Sequence, residues 1–312
     1  MVQKGYVGEK IYDELVNAGY DVTVLSRSNP KEEDNVRIVD YESTESLTAA
    51  LRGQDAVVCA VNPAGWPHQY RLIDAAVDAG TVKHFIPSDF TALSTDPAVA
   101  HYPFYKDAVA IQKYLAEKAD ESGGSMKWTV VVTGPLIGCV LNGSYIYNYQ
   151  DQTALLVSGG AHRVSMTRRA TLAKAVSAIF ARSKDMESGP ISIQDYTTTE
   201  SEMLEVAERL SGKKWPVQHV NGEHKLRDGL DMFQRAAAAG TMPPVFATFL
   251  VIHNTIFGGK YNTVWDGKGN KFLGLPFMSR EELEELIATR VRNEPIDGGL
   301  PWNSAPKPRN GF

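Results

Sequence analysis

Between Gly8 and Val132, short β-branched runs alternate with amphipathic helical stretches. That alternation restricts the chain to a parallel sheet covered by helices on both faces. The spacing predicts strands over residues 21–25, 36–39, 56–61, 82–86 and 128–132. The run Ala56-Val57-Val58-Cys59-Ala60-Val61 is apolar throughout and reads as a central strand buried on both sides. Helices are expected over 8–18, 43–51, 69–79 and 105–118, with Ile11 and Leu15 on one side of the first. Gly19 and Gly80 close the first and third of these, and Ser43 or Thr44 caps the second.

The strand over 82–86 runs into Pro87-Ser88-Asp89-Phe90, and Tyr102-Pro103-Phe104-Tyr105-Lys106 opens the next helix. In an open parallel sheet, ligands bind in the crevice outside the carboxyl ends of the strands. Ser88, Tyr102 and Lys106 are therefore delivered to the place where a dinucleotide's nicotinamide would lie, which points to hydride transfer. Tyr102 and Lys106 have the Y-x-x-x-K spacing of short-chain dehydrogenases, which sets both on one helical face. In that chemistry the tyrosine is the acid, the lysine lowers its pKa and holds the ribose, and the serine polarises the carbonyl. Pro103 suits the first helical position, which makes Tyr102 the cap. Lys106 reads either as a cofactor or proton-donor residue or as a solvated helix lysine. Asp89 either orients Lys106 or caps the following turn. Pro87, Val61 and Asn62 border the crevice, and Asp40 either approaches an adenine or is a surface carboxylate.

A formal charge of -5 on 312 residues excludes the basic surface that nucleic acids and anionic membranes require. Arg163, Arg168 and Arg169 form the densest basic cluster and read as a solvated face, with an anion site as the alternative. Cys59 and Cys139 lie in apolar surroundings without metal-ligand spacing, so they read as reduced thiols of a cytoplasmic protein. His219 and His224 stand too isolated for a metal site, and none is expected. No charged-then-apolar leader pattern opens the chain, and no apolar run reaches the ~20 residues of a membrane span.

Gly5-Tyr6-Val7-Gly8 supplies the last two glycines of a G-x-x-G-x-x-G loop, in which backbone N–H groups reach a pyrophosphate at a helix N-terminus. Val2 stands where the first glycine would fall, and no apolar strand precedes it. That strand belongs in the middle of the sheet. Without it the strands over 21–25 and 56–61 must move together, stay exposed or borrow a partner, because buried backbone groups are almost always paired. The expectation is a truncated start, the alternative a protein that binds its cofactor poorly.

After Gly134-Pro135 the pattern changes. Tyr145, Tyr147 and Tyr149 cluster with period two, either lining an aromatic pocket or forming one face of a strand. A segment near 190–194 is expected to return to the sheet. Residues 200–210 and Arg280–Val291 read as helices, 240–272 mixes apolar residues with Gly and Pro in a half that reads as rich in irregular loops, and the tail from Pro295 reads as surface or partly disordered chain. The division is a dinucleotide-binding domain over 1–135 and a smaller substrate lobe over 136–312.

Gly5-Tyr6-Val7-Gly8, Val24-Leu25-Ser26-Arg27, Lys83 to Phe90, Phe104-Tyr105-Lys106 and Thr133-Gly134-Pro135 occur in an order and spacing that resembles the isoflavone-reductase-like and NmrA-like branch of atypical short-chain dehydrogenases, its fungal members above all. The stretch Ser211-Gly212-Lys213-Lys214-Trp215 is similar too. The resemblance implies a Rossmann-like doubly wound sheet with a C-terminal α+β lobe, and an NADPH-dependent reductase. The family's lysine falls on Lys106. Its NADPH-selecting arginine falls on Arg27, where a guanidinium can pair bidentately with a 2′-phosphate, aided by Ser26 and Ser28. Thr91 departs from the family's glycine. Two functions follow. One is reduction of a carbonyl or conjugated enone on a small aromatic or polyketide-like molecule, in secondary metabolism. The other is a non-catalytic, dinucleotide-sensing regulator that binds a protein partner.

Overall fold

The computed structural model describes residues 5–143 and 145–297. Its first half runs α1 (Gly8–Asn17), β1 (Val24–Ser26), β2 (Val36–Ile38), α2 (Thr44–Leu51), β3 (Ala56–Val58), α3 (His68–Ala79), β4 (His84–Ile86), α4 (Pro103–Glu121) and β5 (Lys127–Val132). Local chemistry sets these bounds. Ser43 caps α2 by accepting from the Ser46 N–H, and Gly80 ends α3 at a φ of 68°. The second half runs α5 (Ile137–Asn142), β6 (Tyr147–Asn148), β7 (Thr153–Val157), β8 (Val164–Met166), α6 (Arg169–Ala181), β9 (Gly189–Ser192), β10 (Tyr196–Thr198), α7 (Glu200–Ser211), β11 (Val217–Val220), α8 (Gly222–Ala238), α9 (Val245–Phe257), α10 (Lys268–Leu273) and α11 (Arg280–Val291).

β3, β4, β5 and β9 form a parallel sheet in that order, so the segment near 190 does return, against the free side of β5. Its side chains alternate between two cores, as period two requires. Val57 and Phe85 face α2, α3 and α4 through Leu47, Leu72 and Leu115. Val58, Ile86 and Val131 face α1 and α6 through Ile11, Leu15, Leu172 and Val176. The fold class is thus α/β with helices on both faces. A third core fills the second half, where Tyr147, Val157, Met203, Val251 and Ile287 meet.

β1 and β2 form a separate parallel pair. Among the described residues no strand lies between β1 and β3, and neither has a second strand partner. The two do not stay exposed: Val24, Leu25, Val57 and Val58 are all buried. Val24 and Ser26 bond toward β2, so the Leu25 carbonyl points the other way. It borrows a side-chain donor, the Tyr41 hydroxyl, at 2.9 Å.

Three expectations need correction. The strand expected over 21–25 begins only at Val24. Within 240–272, where only a Gly- and Pro-containing mixture is legible in the sequence, two helices form, α9 and α10. α9 is apolar around most of its circumference and carries no amphipathic stripe to reveal it, as befits a helix buried between others. In the tail, Ile296 is buried and exchanges two hydrogen bonds with the Asn142 side chain, at 2.7 and 3.0 Å. Residues from 298 onward lie outside the described set.

Candidate active site

The carboxyl ends of β3 and β4 are stapled together by Ser88. Its hydroxyl donates to the Val61 carbonyl at 2.7 Å and accepts from the Val61 N–H at 3.0 Å. Its own N–H donates to the Gln69 side chain at 2.7 Å. Pro87 is buried beside it, and the Pro87 carbonyl accepts from the Asp89 N–H. Asp89 is buried and accepts from the Thr91 hydroxyl at 2.9 Å and the Gln112 amide at 2.6 Å. Burial pushes its carboxyl upward, against the pull of those bonds. Asp89 therefore fixes the loop to α4, and no bond joins it to Lys106. Asn62 caps the next turn by accepting from the Gly65 N–H at 3.1 Å.

Tyr102 is the N-cap of α4, as Pro103 requires, and its carbonyl accepts from the Lys106 N–H at 2.9 Å. Its phenol meets the Tyr261 hydroxyl at 2.8 Å, and no hydrogen bond joins it to Ser88 or Lys106. Burial and that bond push the Tyr261 phenol upward. Tyr105, fully buried, meets the Thr255 hydroxyl of α9 at 3.0 Å. Two tyrosines thus tie the first turn of α4 to the second half of the chain. Lys106 is exposed, and its ammonium has no hydrogen-bonding or ionic partner among the described residues.

Gly5, Tyr6 and Val7 lead into α1. The Gly5 carbonyl accepts from Glu9 at 2.9 Å and that of Val7 from Ile11 at 3.2 Å, while Gly8 is buried as the first helical residue. The Tyr6 carbonyl accepts from the Arg169 guanidinium, which lies 3.8 Å over the Tyr6 ring. The Tyr6 hydroxyl reaches Gly138, where an added Cβ would come within 2.6 Å of it. The solvated reading of the arginine cluster holds for Arg163 alone. Arg168 pairs with buried Asp195 at 2.7 Å, and Arg169 is only 3 % exposed.

Arg27 and Asp40 are exposed just past β1 and β2. Ser26 accepts from the Ser28 N–H at 3.3 Å, and Asp40 accepts from the Glu42 N–H at 2.9 Å ahead of α2. Burial pushes the Tyr41 phenol upward, and the nearby Arg27 charge opposes this. The tyrosine cluster belongs to the core of the second half. Tyr147 donates to the Glu200 carbonyl, Tyr145 packs on Phe249, and Tyr149 packs on Trp215. Tyr147 and Tyr149 also border an open cleft of about 450 Å³ shared with Asn142 and Arg290. Both cysteines are free; Cys59 is buried and Cys139 partly so, and burial raises the Cys139 thiol to about 11. Among the described residues no three His, Cys, Asp or Glu side chains gather as metal ligands, and no helix is long and apolar enough to cross a membrane.

Gln69, Tyr41 and Tyr261 escaped the sequence reading, and Arg169 entered it only as one of a basic cluster. Gln69 sits on a helix face whose spacing marks it as inward, and that signal was there to be used. The other three act across distant parts of the chain.

The chain is similar to the oxidoreductase aprR of Aspergillus flavus, with 26% identity over 280 residues that cover 88% of this chain and 91% of that one. It is similar to the oxidoreductase poxI of Penicillium oxalicum at 24% identity, covering 91% and 90%. In three dimensions it resembles AtPrR2 with NADP+ and (+)-pinoresinol, with a TM-score of 0.71 and 17% identity over 91% of this chain and 95% of that one. The NADP(H) complex of the Citrobacter sp. triphenylmethane reductase follows the same fold, with a TM-score of 0.65 and 18% identity over 90% and 96%. The NmrA-like family model matches residues 3–249, most of the length, and the chain belongs to that family.

Proposed function

We propose that the protein is an NADPH-dependent reductase of a carbonyl or conjugated enone on a small aromatic or polyketide-like molecule. The observation that carries this reading is Lys106, an unpaired exposed ammonium on the first turn of a helix that opens beyond the carboxyl end of β4. The named relatives agree with it: two are fungal oxidoreductases, and reductases bound to NADP(H) share the fold. The donor set also fits the cofactor. Arg27 is exposed and forms no ion pair among the described residues, so its fork is available to a 2′-phosphate. In this reading Gly5 to Gly8, at the positive end of α1, would receive the pyrophosphate.

When bound, NADPH supplies the hydride. The chain's own residues do the rest. Lys106 stabilises the negative charge that develops on the substrate oxygen and delivers a proton to it. Ser88 is a positioning residue, since it holds Val61 and Pro87 as walls of the crevice. Tyr102 fixes the turn that carries Lys106 through its bond to Tyr261. In this proposal residues 1–135, with β9 returning, bind the dinucleotide, and the remainder shapes the substrate pocket. A cytoplasmic location and a place in secondary metabolism belong to the same reading, supported by two free cysteines and the fungal relatives.

Calorimetric titration with NADPH and NADH tests the cofactor, and turnover on a panel of ketones and enones tests the chemistry. The reading expects tighter NADPH than NADH, and a Lys106→Met variant that binds NADPH but turns over at least ~100-fold more slowly. Binding without turnover on any substrate would instead make the protein a dinucleotide-sensing regulator.

A further inference from the structure

Arg169 is the one member of the basic cluster that the fold takes out of water. It is the first residue of α6, which packs against α1, and it is 3 % exposed. A buried guanidinium is costly unless its donors are met and its charge is answered. Its terminal nitrogens donate to the carbonyls of Tyr6 and Asp297, both neutral acceptors. Its Nε is buried and has no hydrogen-bond acceptor among the described residues. One carboxylate stands within ionic reach, that of Asp297, 3.6 Å from Nε and about a third exposed. The charge is thus held against the Gly5–Gly8 loop and only loosely answered.

α1 contributes a second positive source at the same point, because Tyr6 lies two residues before its first helical residue. An incoming anion at this loop would meet the N-terminal N–H groups of α1 and the Arg169 guanidinium together. We propose that Arg169 is a binding residue for the dinucleotide's pyrophosphate, acting with the N-terminus of α1, and that the Asp297 carboxylate competes for the same guanidinium. The inference rests on the NADPH reading above. It adds a charge from the second half of the chain to a loop whose first glycine is replaced by valine. The segment after α11 thereby becomes part of cofactor binding. Asp297 is held there by Arg169 and, one residue earlier, by the paired bonds between Ile296 and Asn142.

The test is calorimetric binding of NADPH and NADH to the full chain and to its Arg169→Gln, Arg169→Lys and Asp297→Asn variants, with folding checked by circular dichroism. Arg169→Gln should weaken both dinucleotides by the same factor, roughly tenfold or more, because both carry the pyrophosphate. The NADPH-to-NADH ratio should stay unchanged, and Arg169→Lys should recover part of the loss. Asp297→Asn should act in the opposite direction and tighten both, by roughly threefold. A purely structural Arg169–Asp297 pair would make both variants lose affinity together, which overturns the proposal. So would unchanged binding by Arg169→Gln, or a shift in the ratio, which would put Arg169 at the 2′-phosphate. If Arg169→Gln does not fold, the sign of the Asp297→Asn effect decides. If the unaltered chain binds neither dinucleotide, the NADPH reading and this one fall together. If it binds and Arg169→Gln is unaffected, only this one falls.

Discussion

His84 opens β4, the strand that delivers Ser88, and is buried. Its Nε2 meets the Thr129 hydroxyl at 2.9 Å, and the Phe180 ring lies edge-on at 6.0 Å between centroids. Burial, with a smaller contribution from the Lys127 charge, lowers its pKa from the ordinary 6.5 to about 4. The unfolded chain therefore holds a proton on this ring between those values where the folded chain does not. Stability must rise with pH across that window, and it is lost as pH falls from 6.5 toward 4. At 1.36 kcal/mol per pH unit, the full loss is about 3 kcal/mol. The perturbation is His84→Gln, which keeps a polar partner for Thr129 and removes the titration. Urea unfolding of both proteins at half-unit steps from pH 4 to pH 7 gives stability against pH. Other groups titrate in both proteins and cancel in the difference. The difference should be flat above pH 6.5 and should shift by about 3 kcal/mol in favour of the variant by pH 4. Parallel curves would refute the reasoning, as would an NMR titration midpoint for His84 near 6.5.

Three substitutions probe the packing around the site. Gly134 has a φ of 64°, and an added Cβ would stand 2.0 Å from the Ser165 carbonyl oxygen, so Gly134→Ala should lose more than about 3 kcal/mol in urea unfolding or fail to fold. Ser88→Ala strips Val61 of both a donor and an acceptor, and about 2 kcal/mol of stability should go with them, together with measurable NADPH affinity in the same calorimetric assay. Tyr105→Phe should cost only about 1 kcal/mol, because the Thr255 hydroxyl still reaches the carbonyls of Val251 and Ile252 at 2.9 Å. A loss above 3 kcal/mol there would mean that the tie between α4 and α9 has been underestimated.

The edge of β1 shows how function and fold meet in this chain. Among the described residues no strand lies beside Leu25 on that side, and its carbonyl is met by Tyr41, whose phenol lies near the Arg27 charge. The device that completes the edge of β1 therefore sits beside the guanidinium proposed to select the cofactor. Arg27→Gln should lower the NADPH-to-NADH ratio while Arg169→Gln leaves it alone, which separates the two ends of the proposed site.

What the sequence determined by itself is what depends on neighbours a few residues away. Period-two and period-four patterns placed the parallel strands and the helices around them. Ser43 and Gly80 set helix ends because capping is a contact over three or four residues. Pro103 made Tyr102 a cap for the same local reason. The tertiary structure decided the rest. The Tyr102 phenol finds Tyr261, 159 residues away, and makes no hydrogen bond to the lysine whose spacing it shares. Arg169 reads as surface charge in a basic run, yet α6 carries it into the interior against Tyr6, 163 residues away. α9 is apolar on nearly every side, so no periodicity reveals a helix until the elements that bury it are in place. A side chain's local pattern fixes which backbone it rides on. Which partner it meets, and hence whether its charge or hydroxyl is free for chemistry, is fixed only when distant segments close around it.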